Sequence, residues 1–275
     1  MPSFNLVPEE LTILLSSDPL SGATNISTEG DQYTVQLNEG IKIPSDALNV
    51  NLRAEESTVW WVVPNISAKI GNNKFYVNEG AVPFVLTIPD GLYDLVELNS
   101  TIARLLENAG ATTSPNPLVA LSSDDASQKV VLRLNYTNVS VDFTQSDTPR
   151  NILGFNSQVV GPNLSAPVNI FADNTAQFNT IDYFLIHTDL IQKGISVNGN
   201  YSQTISTVLI DVPPGSQIIS SPRHPPVLDA QDLAGTNKTG FRVWITDQAN
   251  RPIDTRGEAF TVRVKISYLK PFVMA

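Results

Sequence analysis

The chain has 275 residues, 41% of them hydrophobic, and it contains no cysteine. A chain of this length can bury a sizeable core, but without cysteine it has neither a disulfide framework nor a thiolate metal site. Its formal net charge is −10 at pH 7. This charge argues against broad contact with phosphate backbones, so no direct binding of nucleic acid is expected.

Residues 1–30 are predicted to form an N-terminal arm rather than part of the core. They are polar overall, and prolines and glycines interrupt them at Pro2, Pro8, Pro19, Gly22 and Gly30. Arms of this kind often lie on neighbouring subunits. The segment lacks the basic start of a signal peptide. No run in the chain approaches the roughly 18 apolar residues of a membrane-spanning helix, so no membrane span is predicted.

Short β-strands dominate the rest of the prediction. Turn residues separate segments with alternating or β-prone composition, at 33–37, 48–52, 57–64, 65–70, 74–77, 82–88, 130–134, 139–143, 181–187 and 204–212. The clearest alternation is at the C-terminal end, in 241–245 and 260–268, where one face of each strand is apolar. Many short strands with one helix are typical of an all-β protein, either a β-sandwich or a jelly roll.

One segment has helical rather than β periodicity. From Asp94 onward, Leu95, Leu98, Ile102 and Leu105 follow the i, i+3, i+4 spacing of an amphipathic helix. Asp94 and the glutamate three residues later form a capping-box sequence. These signals predict a helix over about 94–109, with its apolar stripe packed on a sheet.

Candidate catalytic residues are few. The two histidines, His187 and His224, lie in a strand and in a proline-rich loop, where structural roles are expected. Acidic residues could form a glycosidase pair, and the candidates are Asp124 with Asp125, and Asp247 with Asp254 and Glu258. The segment 247–251 could also hold calcium, although it lacks the EF-hand pattern and turn chemistry explains it better. No phosphate-loop, dinucleotide or nucleophile-elbow motif is present, so neither an enzyme activity nor a cofactor is predicted.

Two features favour binding to a partner molecule. The tryptophans Trp60, Trp61 and Trp244 could stack on sugars, which would make the chain a receptor- or carbohydrate-binding attachment protein. Trp60 and Trp61 point to opposite faces of one strand, so we expect at most one of them to be exposed. The turn that contains Arg256 could contact a receptor, although solubility and turn formation explain it as well.

Residues 241–268, FRVWITDQANRPIDTRGEAFTVRVKISY, resemble the end of the penton, or minor capsid, protein of double jelly-roll lineage viruses, which include polinton-like viruses, adintoviruses and virophages. In that family an apolar strand enters an Asp-Gln-x-x-x-x-Ile/Leu-Asp turn, and Gly-Glu and a last alternating strand follow. The matching positions here are Asp247, Gln248, Ile253, Asp254, Gly257 and Glu258.

Further segments agree with that family in order along roughly residues 31–270. They are YTVQL, the paired-tryptophan strand, PDGLYDLVELNSTIARLL before and within the predicted helix, NILGF at 151–155 and FLIHTDLI at 184–191. Each segment is short, and only the ordered set has weight. The resemblance implies a single jelly-roll β-sandwich over 31–275, with the helix at 94–109 inside an insertion of about 90–160 and with extra loops.

The resemblance also implies a function. Family members are homopentamers that plug the fivefold vertices of an icosahedral capsid and contact the double jelly-roll major capsid protein. The arm at 1–30 would then tie neighbouring subunits together, and outer loops would be candidates for mounting a vertex spike or contacting a host receptor. Trp244 and Arg256 are the candidate exposed contact residues. The expected location is the virion, at the capsid vertex.

Overall fold

The computed structural model describes residues 4–111, 115–161, 164–197 and 199–273. The chain forms two compact units. The first unit contains the chain up to Val63 and from Ile181 onward, and the second contains Pro64–Thr180. The second unit is therefore an insertion into the sequence of the first.

The elements follow one another in chain order. Before the insertion lie β1 (Phe4–Ser16), β2 (Ala23–Thr24), β3 (Gln32–Lys42) and β4 (Leu48–Trp60). The inserted unit contains β5 (Lys74–Glu79), β6 (Val82–Thr87), α1 (Leu95–Asn108), β7 (Val119–Asp124), β8 (Lys129–Leu134), β9 (Val139–Asp142), α2 (Arg150–Leu153), β10 (Val159–Val160) and β11 (Val168–Phe171). After it come β12 (Tyr183–Thr188), β13 (Ser196–Val197), β14 (Asn200–Tyr201), β15 (Thr204–Leu209), β16 (Gln217–Ser220), β17 (Leu228–Asp229), β18 (Asn237–Asp247) and β19 (Thr261–Val273). Short 3₁₀ turns occur at Pro19–Ser21 and Gln231–Leu233.

The first unit is a jelly roll. One sheet has the strand order β1-β19-β4-β16, with β17 also paired to β4, and the other has the order β15-β12-β18-β3-β2. If β1, β3, β4, β12, β15, β16, β18 and β19 are lettered B to I, the two sheets read B-I-D-G and F-E-H-C. These are the two four-stranded sheets of an eight-stranded jelly roll. The predicted fold class is confirmed, and the second unit is inserted between the third and fourth of these strands, β4 and β12.

Alternation along β19 determines which of its faces is buried. Val262, Val264 and Ile266 are fully buried, as the sequence pattern predicts. On the other face, the guanidinium of Arg263 lies 3.1 Å from the carboxylate of Glu56. The ammonium of Lys265 lies 2.6 Å from the carboxylate of Glu10. These ion pairs join β19 to its neighbours on both sides through the solvated face.

The N-terminal segment differs from the prediction of an arm. The strand β1 pairs with β19 from Phe4 opposite Val273 to Ser16 opposite Thr261. Leu11, Ile13 and Leu15 occupy alternate positions along it, and Leu15 is buried in the core. Pro8 is tolerated within β1 because the strand lies at the edge of its sheet. Whether these residues also contact a neighbouring subunit remains a prediction.

The second unit has its own core. Its sheets have the orders β10-β9-β5-β6 and β11-β8-β7, and α1 packs against β6 and β7. The predicted helix is confirmed, with Asp94 as its N-cap and a complete capping box with Glu97. The helix buries Leu98, Ile102 and Leu106 in this core.

The inserted unit is longer than the predicted insertion of 90–160. It begins at Pro64 and ends at Thr180. The reason is the hairpin of β5 and β6, whose Phe75 and Leu86 belong to the same core as Leu98 of α1. A hairpin strand looks the same in sequence whichever core it joins, so the pattern along the chain did not locate this boundary.

Candidate assembly surface and the β18–β19 loop

The loop between β18 and β19 contains most of the residues singled out by the family resemblance, and Asp247 organises it. The Oδ1 atom of Asp247 accepts hydrogen bonds from the backbone N–H groups of Ala249 and Arg251, both at 2.9 Å. The Oδ2 atom accepts a bond of 2.7 Å from Nε of Arg251. Asp247 is only 3% exposed. Its carboxylate therefore fixes the first turn of the loop, because buried acceptors of charge-assisted bonds hold their donors firmly.

The next motif residues attach this loop to neighbouring segments. The side-chain oxygen of Gln248 accepts a 3.3 Å hydrogen bond from the backbone N–H of Asp182, at the start of the β12 region. Ile253 is buried. Beside it, the N–H and hydroxyl of Thr255 both donate to the carbonyl of Glu29, at 2.9 and 3.1 Å. These contacts join the β18–β19 loop to the loop before β3.

The second half of the loop is a tight, exposed turn. The Oδ1 atom of Asp254 accepts a 2.8 Å bond from the N–H of Arg256, and the N–H of Glu258 donates to the carbonyl of Thr255 at 3.0 Å. Arg256 and Gly257 both have positive φ, 55° and 81°. Gly257 fits this conformation because it has no Cβ atom. Arg256, Gly257 and Glu258 are exposed, so Arg256 is accessible, as its predicted role in contacts requires.

The other predicted contact residue, Trp244, is half-buried. Its ring stacks on His187, with centroids 5.2 Å apart and 11° between the planes. The guanidinium carbon of Arg242 lies 5.6 Å from its centroid. Trp61 is buried against Phe184, in agreement with the expectation that at most one residue of the tryptophan pair is exposed. These positions give little support to stacking of sugars on tryptophan.

The candidate acidic pairs are accounted for by local turn structure. Asp124 accepts hydrogen bonds from Ser127, and Asp125 accepts one from Ser123, in the turn between β7 and β8. Both oxygens of Asp247 accept hydrogen bonds from donors within its own loop. Among the residues that the structure describes, no group of three or more histidine or acidic side chains is placed to hold a metal ion. Neither described α-helix has the length and hydropathy needed to cross a membrane.

The strand β1 provides a long sheet edge with apolar side chains. It is outermost in the order β1-β19-β4-β16, and within the described residues it pairs with β19 alone. Leu6, Val7, Leu11 and Leu14 are 48%, 44%, 40% and 63% exposed. Because successive side chains of a strand alternate in direction, Leu6 and Leu14 lie on one face, and Val7 and Leu11 lie on the other. A long edge with exposed apolar residues is typical of a site where another chain adds.

Sequence reasoning did not identify this edge, because it treated the segment as an arm. The signal was present in the alternation of Val7, Leu11, Ile13 and Leu15. Pro8 and the adjacent glutamates obscured it, although edge strands commonly contain such residues.

Comparison with known proteins gives structural matches alone. No family model and no curated protein matches the chain. Among solved structures, the chain is similar to the mavirus penton protein, with 12% identity and a TM-score of 0.49 over 95% of this chain and 100% of that chain. It is also similar to a chain in the 3.5 Å cryo-EM structure of the Sputnik virophage, with 11% identity and a TM-score of 0.41 over 94% of this chain and 97% of that chain.

The jelly-roll assignment above does not depend on these two structures, because it follows from the strand order of the two sheets.

Proposed function

We propose that this chain is a structural capsid protein that forms homopentamers at the fivefold vertices of an icosahedral virion. It would act as a penton, or minor capsid protein, without enzymatic activity. The proposal is supported by the ordered set of penton-like motifs and by the jelly roll of the first unit, which contains the motif residues of the β18–β19 loop. The motif residues Asp247, Gln248 and Ile253 hold the β18–β19 loop and its neighbours together, so their presence reflects this fold rather than a catalytic site.

The observation that carries the assembly step is the exposed edge of β1. A cyclic ring requires a heterologous contact, in which one surface of a subunit meets a different surface of the next. The outer edge of β1 offers backbone hydrogen-bonding groups, and exposed aliphatic side chains flank this edge on both faces of the sheet. A segment of the adjacent subunit that added along β1 would bind the backbone and cover both sets of side chains.

The other proposed partners follow from the position of the pentamer at a vertex. The ring would contact the double jelly-roll major capsid protein around it. Exposed loops, including the Arg256 turn, would be available for a vertex spike or a host receptor. No contact with nucleic acid is proposed, because the chain is strongly acidic.

Native mass spectrometry of the purified chain, with light scattering over a range of concentrations, tests the proposal. We expect a species of about five times the 29.9 kDa chain mass. Leu14→Lys should weaken the ring, because it places a charge on the apolar flank of β1. Leu20→Lys is the matched control, since Leu20 is 95% exposed and lies outside β1.

Two outcomes would count against the proposal, and a third would change the contact surface that it assigns. A monomer that persists at high concentration and in the presence of the major capsid protein would favour the receptor- or carbohydrate-binding alternative. A trimer would indicate a different kind of virion component. A pentamer that Leu14→Lys leaves intact would preserve the vertex function but remove β1 from the contact.

A further inference from the structure

A polar groove lies within the second unit. It has a volume of about 610 Å³, and it lies between residues 150–157, which include α2, and residues 174–177. This volume is within the range of about 300–1,000 Å³ for small-molecule sites. Its exposed lining consists of uncharged polar side chains, those of Asn151, Asn156, Ser157, Asn174, Thr175 and Gln177.

Backbone hydrogen bonds hold the two walls in a fixed relation. The N–H of Asn174 donates to the carbonyl of Gly154, and the N–H of Gln177 donates to the carbonyl of Ile152, both at 2.8 Å. Gly154 permits this approach, because a Cβ atom there would lie 2.3 Å from the carbonyl oxygen of Asn174. The backbone of the two walls is therefore held in place, and the side-chain amide of Asn174 donates across them to the carbonyl of Gly154 and to Oδ1 of Asn156, both at 3.4 Å.

The charged and aromatic residues of the groove support its frame. The Nη1 atom of Arg150 donates to the carbonyls of Phe143 and Gln145, at 2.7 and 3.0 Å. Phe155 is buried and stacks on Phe143, with centroids 4.7 Å apart. Arg150 is the one charged residue among those that line the groove, and its guanidinium binds backbone carbonyls. The ligand-facing groups are thus amides and hydroxyls.

These groups select a class of ligand. A carboxamide presents a donor and an acceptor side by side, and a hydroxyl does both, so the groove can pair with neighbouring hydroxyls that also donate and accept. An apolar ligand would leave the amides without partners, which costs free energy. A phosphate or carboxylate would find one cation among the lining residues, Arg150, whose Nη1 atom already donates to backbone carbonyls. We propose that this groove binds a neutral polyhydroxylated ligand, namely the terminal sugars of a glycan.

The inference goes beyond the proposed function and does not depend on it. The groove belongs to the second unit, whereas β1 and the β18–β19 loop belong to the first. Sugar binding can therefore be present in a chain that does not form rings, and absent from one that does. It is also distinct from stacking on Trp244, because exposed aromatic rings do not line this groove.

Saturation-transfer difference NMR on the purified full chain tests the proposal. The probes are the methyl glycosides of galactose, glucose, mannose, N-acetylglucosamine and fucose, each at about 10 mM, which detects millimolar dissociation constants. Sialyllactose and heparin disaccharide are the anionic comparison. We expect saturation transfer to at least one neutral sugar, at least about tenfold weaker binding by the double variant Asn151→Ala/Gln177→Ala, and no binding by Thr175→Trp, which fills the groove.

The matched control is Asn169→Ala, the same amide removal at an exposed position of β11 in this unit. It should leave binding unchanged. Thermal unfolding of each variant establishes that the fold is retained, and the two groove variants alter exposed side chains by different means. The proposal is overturned if no neutral sugar gives a signal, if the signal survives both groove variants, or if the anionic sugars alone bind.

Discussion

The imidazole of His187 lies flat against the indole of Trp244, with 11° between the ring planes. Both of its nitrogens have hydroxyl partners. Nε2 lies 2.8 Å from Oγ1 of Thr246, and Nδ1 lies 3.1 Å from Oγ1 of Thr204. His187 is 3% exposed, and the burial lowers its pKa to about 4. The ring is therefore neutral at pH 7, and it joins β12 to the strands on either side.

This burial predicts a loss of stability in acid. Between the usual histidine pKa of 6.5 and the folded value of about 4, the unfolded chain binds a proton that the folded chain does not. The contribution is thus fully present above pH 6.5 and is lost as the pH falls toward 4. It amounts to roughly 3 kcal/mol, since each pKa unit corresponds to about 1.4 kcal/mol.

Urea unfolding at about pH 7 and about pH 4.5 measures this effect, because the slope of stability with pH reports the difference in bound protons. His187→Gln should lose less stability between the two pH values than the wild-type chain, although it is less stable at pH 7. His224→Gln is the matched control, since His224 is exposed, and it should retain the wild-type pH dependence. Equal pH dependence of all three chains would contradict the assignment.

Tyr33 gives a second prediction, since it is a fully buried tyrosine whose hydroxyl has no hydrogen-bond partner among the described residues. Its ring packs edge-on against Phe260, with centroids 5.4 Å apart. Burial raises the pKa of Tyr33. Removing an unsatisfied buried hydroxyl recovers its desolvation cost, so Tyr33→Phe should leave the free energy of unfolding unchanged or raise it by about 1 kcal/mol.

The same substitution at a tyrosine whose hydroxyl is hydrogen-bonded should lower the free energy of unfolding. The hydroxyl of Tyr268 donates to the carboxylate of Glu9 at 2.9 Å, so Tyr268→Phe should cost about 0.5–1.5 kcal/mol. Urea unfolding of the two variants at neutral pH makes the comparison. A clear destabilisation by Tyr33→Phe would mean that its hydroxyl has a partner in solution.

The features that were predicted from the sequence are those that depend on residues close together in the chain. The capping box joins Asp94 and Glu97, which are three positions apart, and the alternation of Val262, Val264 and Ile266 follows from the period of a strand. The limits of the inserted unit depend on which strands share a core, and neighbouring residues do not contain that information. For the same reason the β5–β6 hairpin was assigned to the wrong side of the boundary.

The candidate site was predicted in part. The resemblance identified Asp247 and its neighbours, but their contacts emerged from the structure. His187 was expected to be structural, yet its partners Thr204 and Thr246 lie 17 and 59 residues away in sequence. The groove in the second unit joins segments near Asn151 and Gln177, which share no motif. When a site is formed by segments that are far apart in the sequence, neither segment alone contains a pattern that identifies it.

The capping box of α1 offers a third prediction. The Oδ1 atom of Asp94 accepts a 2.7 Å bond from the N–H of Glu97, and the helix buries three residues in the core of the second unit. Asp94→Ala should therefore lower stability by about 1 kcal/mol. Ser100→Ala, at an exposed position within the helix, is the control and should change stability by a few tenths of a kcal/mol or less. Thermal unfolding compares them, and equal effects would show that the cap contributes nothing.

Asp247 should be the most costly acidic side chain to remove from the β18–β19 loop. Asp247→Ala would leave the N–H groups of Ala249 and Arg251 without their acceptor, which is a buried carboxylate beneath an exposed turn, so we expect a loss of about 1–3 kcal/mol in urea unfolding. Asp254→Ala removes the acceptor of one N–H at a half-exposed position and should cost less than about 1 kcal/mol. Asp247→Asn keeps an acceptor oxygen but removes the charge, so it should fall between them. If the two alanine variants were equally stable, Asp247 would not organise the loop, and its place in the motif would need another explanation, such as contact with a neighbouring subunit.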